Sequence, residues 1–288
     1  MCESVALPDT VPRVSVIMSV HNEENWLVPA IESILNQTFQ DLELRITDDG
    51  SSDGSRDILC HFQKQDPRVR LIRHEKKNGL AVSLNEQIRQ AGGEYIARMD
   101  GDDMAHSERI ESQVDFLDSH PEVALLGTYC NEIDKNGNKI SLWKRPVTDQ
   151  ALRAALLYYN PFVHSTVMLR REVFKEAGYY NPKWRYAQDY DLWLRISRSY
   201  KMANLMRPLV DLRVDWDKLE KKNTEARRCE FNILLSHFRT CNYPLWRYLH
   251  LWRTAGLALF PTPITMRLKH FQRHWRKNRT SFFSWKQP

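Results

Sequence analysis

Three groups of acidic residues have the types and spacing to do chemistry. Asp100, Asp102 and Asp103 crowd one short segment, with Gly101 permitting a tight turn. Carboxylates this close repel and raise one another's pKa. A bound Mg2+ or Mn2+ relieves that repulsion and can bridge to phosphate oxygens. The plainer alternative is a solvated acidic turn capping the helix near Arg109. Asp48 and Asp49 open the run Asp48-Asp49-Gly50-Ser51-Ser52-Asp53-Gly54-Ser55. Turn formation, with Asp53 or Ser55 capping the next helix, explains part of it. Two consecutive acids exceed what a turn needs, and an ionised carboxylate can accept a hydrogen bond from a nucleobase N–H. Asp189 and Asp191 open an apolar helix bearing Leu192, Trp193 and Ile196. They serve either as N-terminal helix charges, worth about 0.5–2 kcal/mol, or as a source of a general base.

The elements that must position these groups alternate. Val14–Val20 is a β-branched run that reads as a buried strand and ends at His21-Asn22-Glu23-Glu24. Trp26, Leu27, Ala30, Ile31, Ile34 and Leu35 follow at helical spacing. Leu42–Ile46 alternates strictly and breaks at the Asp48 run; Ile58, Leu59 and Phe62 then mark a helix, and Val69–Ile72 a short strand. Leu80, Leu84 and Ile88 mark a third helix closing at Gly92-Gly93. Glu94–Met99 is a strand running into Asp100. This alternation predicts an α/β fold with a doubly wound, parallel sheet. The polar clusters at His21, Asp48–Asp49 and Asp100–Asp103 all fall just past the C-terminal ends of strands, the edge where such sheets bind ligands.

Further along, Gln113, Val114, Phe116 and Leu117 continue a helix, and Val123–Gly127 reads as a strand. Asn136-Gly137 lies between Glu132-Ile133 and Lys139–Trp143, a hairpin signal. His164–Leu169 reads as another strand, followed by a short helix ending at Gly178. His164 is either a hydrogen-bonded structural histidine or a contact to an acceptor or diphosphate.

Val14–Asn22, Asp48-Asp49-Gly50-Ser51-Ser52-Asp53 and Gly93–Asp103, in that order, resemble the family 2 glycosyltransferases of the GT-A fold. Asn78-Gly79-Leu80-Ala81 and Leu84-Asn85 match the same pattern, and the resemblance runs from about Arg13 to about Ser199. It implies a Rossmann-like, doubly wound mixed sheet and inverting transfer from a nucleotide-sugar, with a UDP-sugar as the expected donor. It places Ser19, His21 and Glu23 in the nucleotide pocket, with His21 standing where many members carry an aromatic residue. Asp49, with Asp48 beside it, falls where an acid contacts the base, and Asn78 and Gly79 join the donor-binding set. Asp100 and Asp102 match the Asp-x-Asp pair that meets ribose and the Mn2+ or Mg2+ diphosphate, with Asp103 as an additional metal-side acid. Gln188-Asp189 resembles the Glu-Asp motif whose Asp is the catalytic base, so Asp189 is the expected base and Asp191 its backup. His164, Gln188 and Trp193 are the candidate acceptor contacts. The Gln-x-x-Arg-Trp motif of processive synthases is missing, since Gln272-Arg273-His274-Trp275 has the letters without the spacing. A transferase adding one sugar or a few is expected.

Charge divides the chain. Asp217–Pro288 holds 15 Lys and Arg against four Asp and Glu, while the preceding residues hold 27 against 32. No stretch of about 18 apolar residues exists, and Met1–Pro12 lacks the basic and apolar regions of a signal peptide. Five scattered cysteines suit a reducing compartment. The expected organisation is an extension over 1–12, a nucleotide-sugar-binding half over 13–105, an acceptor-binding half over 106–215 and a helical basic-aromatic tail over 216–288. Basic amphipathic segments with Trp and Phe suit an anionic membrane interface. The same residues could serve a homodimer contact or, least favoured, nucleic acid. A glycan or lipid-linked acceptor fits the membrane reading, which implies a peripheral position on the cytoplasmic face. The expected function is assembly of a surface or exported polysaccharide or glycoconjugate. The alternatives are an inactive, membrane-associated scaffold of the same fold, and a sugar nucleotidyltransferase. The latter is opposed by the absence of a Gly-rich, basic loop after Val16-Ile17-Met18.

Overall fold

A computed structural model describes residues 11–214 and 216–240. The chain divides into two compact units, Met1–Asp215 and Trp216–Pro288. The elements of the first unit are β1 (Val14–Val20), α1 (Leu27–Leu35), β2 (Leu42–Asp49), α2 (Ser55–Gln65), β3 (Val69–His74), α3 (Leu80–Gln90), β4 (Tyr95–Asp100) and β5 (Met104–Ala105). They continue through α4 (Arg109–Ser119), β6 (Val123–Ile133), β7 (Lys139–Trp143), α5 (Asp149–Leu156), β8 (Met168–Arg170), α6 (Val173–Ala177), α7 (Gln188–Ile196) and β9 (Lys201–Arg213). In the second unit the described residues form α8 (Trp216–Thr240). The basic-aromatic segments expected beyond it lie outside the described residues. Among the described residues no helix is long and apolar enough to cross a membrane.

The nine strands form one mixed sheet in the order β3-β2-β1-β4-β8-β6-β9-β5, with β7 paired to β6. The β3-β2-β1-β4 half is parallel, as the alternation predicts. β8 then enters antiparallel to both β4 and β6, so the sheet is mixed, not parallel throughout. Val14, Val16, Met18, Leu44, Ile46, Ala97 and Met99 fill the core against Leu27, Ile31 and Ile34 of α1.

Three stretches of the sheet have local features of their own. β2 alternates apolar and polar residues over Leu42–Ile46, and all eight of its residues are buried. Its polar face lies under α3 in a closed network: Arg45 donates to Glu43 Oε2 at 2.8 Å and to Gln87 Oε1 at 3.3 Å, and Gln87 donates to Thr47 Oγ1 at 2.7 Å. Such burial is tolerated because each polar group finds a partner. The expected strand over His164–Leu169 is a 3-10 turn at His164–Thr166, with β8 beginning at Met168. There Thr166 Oγ1 donates to Val163 O at 2.8 Å, a local bond that competes with extended pairing. β9 carries no clean period because its pairing with β6 is broken by bulges. Pro208 sits at one of them, and Met206 is 71% exposed there. The Asn136-Gly137 hairpin is present between β6 and β7, with Gly137 at φ +85°.

Candidate functional site

The parallel register brings the C-terminal ends of β1, β2 and β4 side by side. Ser19 lies between Thr47 of β2 and Asp100 of β4. Beyond the strands, the loop after β1 is zipped to the loop after β2. The amides of Asn22, Glu23 and Glu24 donate to Ser51 Oγ, Ser55 Oγ and Asp53 Oδ2 at 3.1, 2.9 and 3.2 Å. Asn22 returns a bond by accepting from the Ser52 amide at 2.8 Å, and it holds φ +59° to do so. Asp53 and Ser55, expected as helix caps, leave the cap position of α2 to Gly54, which has no side-chain bond, and instead fix the segment that carries His21 and Glu23. The His21 Nδ1 lies 3.0 Å from the carbonyl of Asp49.

Asp49 anchors the floor. Its Oδ1 meets His74 Nδ1 and accepts from the Asn78 amide, both at 2.8 Å, and its Oδ2 accepts from the Gly79 amide at 2.8 Å. Burial pushes its pKa up, but these bonds outweigh burial and hold the carboxyl below its ordinary value. His74 Nε2 meets Glu86 at 2.8 Å on its other side. Gly79, at φ +98°, turns the chain into α3. Gly50 has the same need: a Cβ there would come 2.7 Å from the Lys76 carbonyl carbon. Asp48, beside Asp49, is fully buried, accepting from the Ser51 amide at 2.9 Å and from Arg56 Nε at 3.4 Å.

Asp100, Asp102 and Asp103 place one carboxylate oxygen each within 4.8 Å of one another. Three hard-oxygen donors this close fit Mn2+ or Mg2+. Asp100 is paired with Arg98, a buried arginine, and accepts from Ser165 Oγ at 2.9 Å. Asp103 is buried, bonded to Ser165 Oγ and to the Arg213 amide. Burial, then the charges of Asp100 and Asp102, hold its pKa well above the usual carboxylate range. Arg109 lies fully buried nearby; burial and the Arg98 charge lower its pKa to about 9.

The other side of the rim is built by α7. Asp189 stands in its first turn after Ala187, which adopts φ +57°. A non-glycine residue in that region costs of order 1 kcal/mol and persists where its surroundings impose it. Asn160 Nδ2 donates to Asp189 Oδ2 at 2.5 Å. Burial nevertheless dominates and raises the Asp189 pKa. Asp191 behaves differently: its Oδ2 takes both Arg195 Nε and Nη2, at 3.1 and 2.8 Å, and its Oδ1 takes Trp184 Nε1 at 3.2 Å. These bonds tie it into the helix scaffold. Trp193 is fully buried, packed edge-on against Phe162, His164 and Tyr180, so it offers no exposed surface for the acceptor contact expected of it. His164 Nε2 lies 2.8 Å from Tyr180 Oη, and burial followed by the Arg98 charge lowers its pKa well below the ordinary value. Gln188 is half-buried and donates to Arg185 O at 2.9 Å. Burial pushes the Tyr180 hydroxyl pKa up, and the charges of Arg98, Asp189 and Asp100 all act on it.

Sequence reasoning missed Arg98, Ser165, Asn160, Tyr180, His74 and Arg213. Of these only Arg98 had a visible signal, a charge at an otherwise apolar strand position directly before Met99-Asp100. The others come to the site from segments far away in the chain.

Residues 15–178 match the family model described as Glycosyl transferase family 2. The chain is 31% identical over 260 residues to the putative glycosyltransferase EpsE of Bacillus subtilis, covering 89% of this chain and 92% of that one. Among solved structures, it is similar to Staphylococcus aureus TarS 1–349 in complex with UDP, with a TM-score of 0.60 at 18% identity over 85% of this chain and 80% of that one. It is also similar to the mannosyltransferase PcManGT of Pyrobaculum calidifontis in complex with GDP-Man and Mn2+, with a TM-score of 0.63 at 18% identity over 97% of this chain and 86% of that one.

Proposed function

The chain belongs to glycosyl transferase family 2, and from that premise we propose that it is a metal-dependent, inverting transferase moving a sugar from a nucleotide-sugar to a hydroxyl of a glycan or lipid-linked acceptor. The observation that carries this reading is the cluster of Asp100, Asp102 and Asp103 at and just past the end of β4, one carboxylate oxygen of each within 4.8 Å of the others. His74 and two amides lower the Asp49 pKa below its ordinary value, while burial raises that of Asp189 above it. Carboxyl groups driven apart in this way suit different roles.

In this reading residues 13–105 hold the donor and 106–215 the acceptor. Ser19, His21, Glu23, Asn78 and Gly79 line the nucleoside part, above a floor set by Asp49. Asp100 and Asp102, with Asp103, would hold Mn2+ or Mg2+, which neutralises diphosphate charge when bound. Asp189 takes the proton from the acceptor hydroxyl as that oxygen bonds to the anomeric carbon. The bond from that carbon to the diphosphate breaks with inversion, and the electron pair leaves on the nucleoside diphosphate. Asn160 orients the base, and Gln188 borders the acceptor. A UDP-sugar is the first donor to test, as TarS was solved with UDP, and GDP-linked sugars the second, as PcManGT was solved with GDP-Man. Assembly of a surface or exported polysaccharide, with 216–288 meeting an anionic membrane surface, completes the proposal.

The test is a thermal-shift panel of nucleotide-sugars with Mn2+, followed by transfer assays with the best donor. Saturation at 100 times Kd raises folded-state stability by about 2.7 kcal/mol. If no nucleotide-sugar shifts the transition, the inactive-scaffold reading replaces this one.

A further inference from the structure

We infer that Arg213 is the positioning residue that sets the Asp102–Asp103 turn for a divalent cation, an inference that rests on the metal-dependent reading above. Arg213 is the last residue of β9, 110 positions from Asp103, yet it holds that turn from two directions. Its backbone amide donates to Asp103 Oδ1 at 2.8 Å, and its Nε donates to the carbonyl of Asp102 at 3.1 Å. Its Nη1 donates to the carbonyls of Asp134 and Lys135 at 2.9 and 3.2 Å, on the β6–β7 hairpin. The guanidinium carbon lies 3.9 Å from the ring centroid of Trp26, the residue before α1. One side chain thus joins the strand end, the acidic turn, the hairpin and the entry to the first helix.

These contacts bear on metal binding through both geometry and charge. The main chain of Asp102 is held by the side-chain bond to its own carbonyl and by the amide bond to its neighbour's carboxylate, which together set the direction its side chain leaves the turn. Three acidic side chains with oxygens within 4.8 Å of one another repel. Arg98 answers that repulsion at Asp100, and Arg213 sets a second permanent positive charge against the turn. Lysine cannot replace it, because a single ammonium cannot reach the Asp102 carbonyl and the hairpin carbonyls while lying flat on an indole. Side chains that orient metal ligands without touching the ion commonly change affinity by about 10–100-fold.

The experiment measures Mn2+ binding to the full-length wild-type, R213A and R213K proteins with UDP present, by the loss of the free-ion electron paramagnetic resonance signal. UDP binding without metal and thermal unfolding are followed in parallel. R213A is expected to weaken Mn2+ by about tenfold or more, with metal-free UDP affinity unchanged. R213K is expected to recover only part of the loss, and the rise in the Mn2+ concentration needed for half-maximal transfer to exceed the fall in kcat. A folded R213A with Mn2+ affinity within threefold of wild type overturns the inference. Should R213A not fold, R213K decides by the same threshold. Failure of the wild-type protein itself to bind Mn2+ with UDP, with transfer persisting in chelator, removes the metal-dependent reading and this inference with it.

Discussion

The Asn85 carboxamide grips the backbone of Tyr180 from both sides, donating to its carbonyl at 2.8 Å and accepting from its amide at 2.9 Å. The two residues are 95 positions apart, and both are buried. Asn85 rides on α3, whose first turn follows the Gly79 amide bound to Asp49. Tyr180 carries the hydroxyl that meets His164 and the ring that packs on Trp193 of α7, the helix that begins with Gln188 and Asp189. The pair therefore joins α3, which follows the Asp49 anchor, to the buried cluster of His164, Tyr180 and Trp193.

Asn85→Ala removes both bonds and leaves a buried amide and carbonyl without partners, a loss of about 1–3 kcal/mol for each group left unsatisfied. The expected outcome is a lower urea midpoint together with a fall in kcat, while KM for the donor changes little, because the contacts of Asp49 are untouched. Equilibrium unfolding and steady-state transfer kinetics on the same preparation check it. A fall in stability with kcat retained would leave Asn85 a packing residue alone.

Asp189→Asn and Asp191→Asn separate catalysis from scaffolding at one helix start. The first removes the proposed proton acceptor and is expected to lower kcat by about 10²–10⁴-fold, with nucleotide and Mn2+ binding preserved. The second breaks a partly exposed pair with Arg195, costs about 0.5–1 kcal/mol and retains most transfer. Inversion of these two outcomes would move the base to Asp191.

How far the sequence discloses this site follows from how local each interaction is. β1 and the helix after it are legible because an apolar strand and a helical stripe need only neighbouring residues. The acids at Asp49 and Asp100 are legible because they stand at strand ends in an alternating pattern. The buried state of Asp48 and Trp193 is not, since burial depends on what covers them: Arg56 and Ser51 over one, Phe162, His164 and Tyr180 over the other. β9 escapes notice because its bulges erase the two-residue period, and Arg213 is placed only by that strand. The left-handed turn at Ala187 has no signal in its residue type, for alanine rarely adopts it.

Asp102→Asn tests the cation site from the ligand side. In wild type, Mn2+ added with UDP is expected to raise the unfolding temperature beyond UDP alone, because a ligand that binds only the folded state stabilises it by mass action. The variant is expected to lose that increment while keeping the shift caused by UDP itself. A calorimetric scan with and without chelator reads both. An unchanged Mn2+ increment would place the ion elsewhere.

His74 gives the fold a pH dependence near neutrality. Burial lowers its pKa, but the bonds to Asp49 and Glu86 outweigh it, and the folded-state value lies above 6.5. Its contribution to stability is therefore complete below pH 6.5 and is lost as pH rises through the folded-state pKa. Asp49 runs the opposite way: its depressed pKa contributes above its unfolded value of 3.8 and is lost as pH falls through the folded one. Of these two, His74 alone changes from pH 6.5 upward, weakening the grip on Asp49 that fixes the Asn78 and Gly79 amides. His106, raised by its bond to Asp211, titrates in the same window in both the wild type and the His74→Gln variant. Wild-type protein is expected to lose unfolding temperature, then donor affinity, as pH rises across that window. His74→Gln keeps a neutral donor at the site and is expected to start lower and show a flatter profile. Unfolding scans at closely spaced pH values, with and without nucleotide, measure the difference, and parallel profiles for the two proteins would assign the pH dependence to another group.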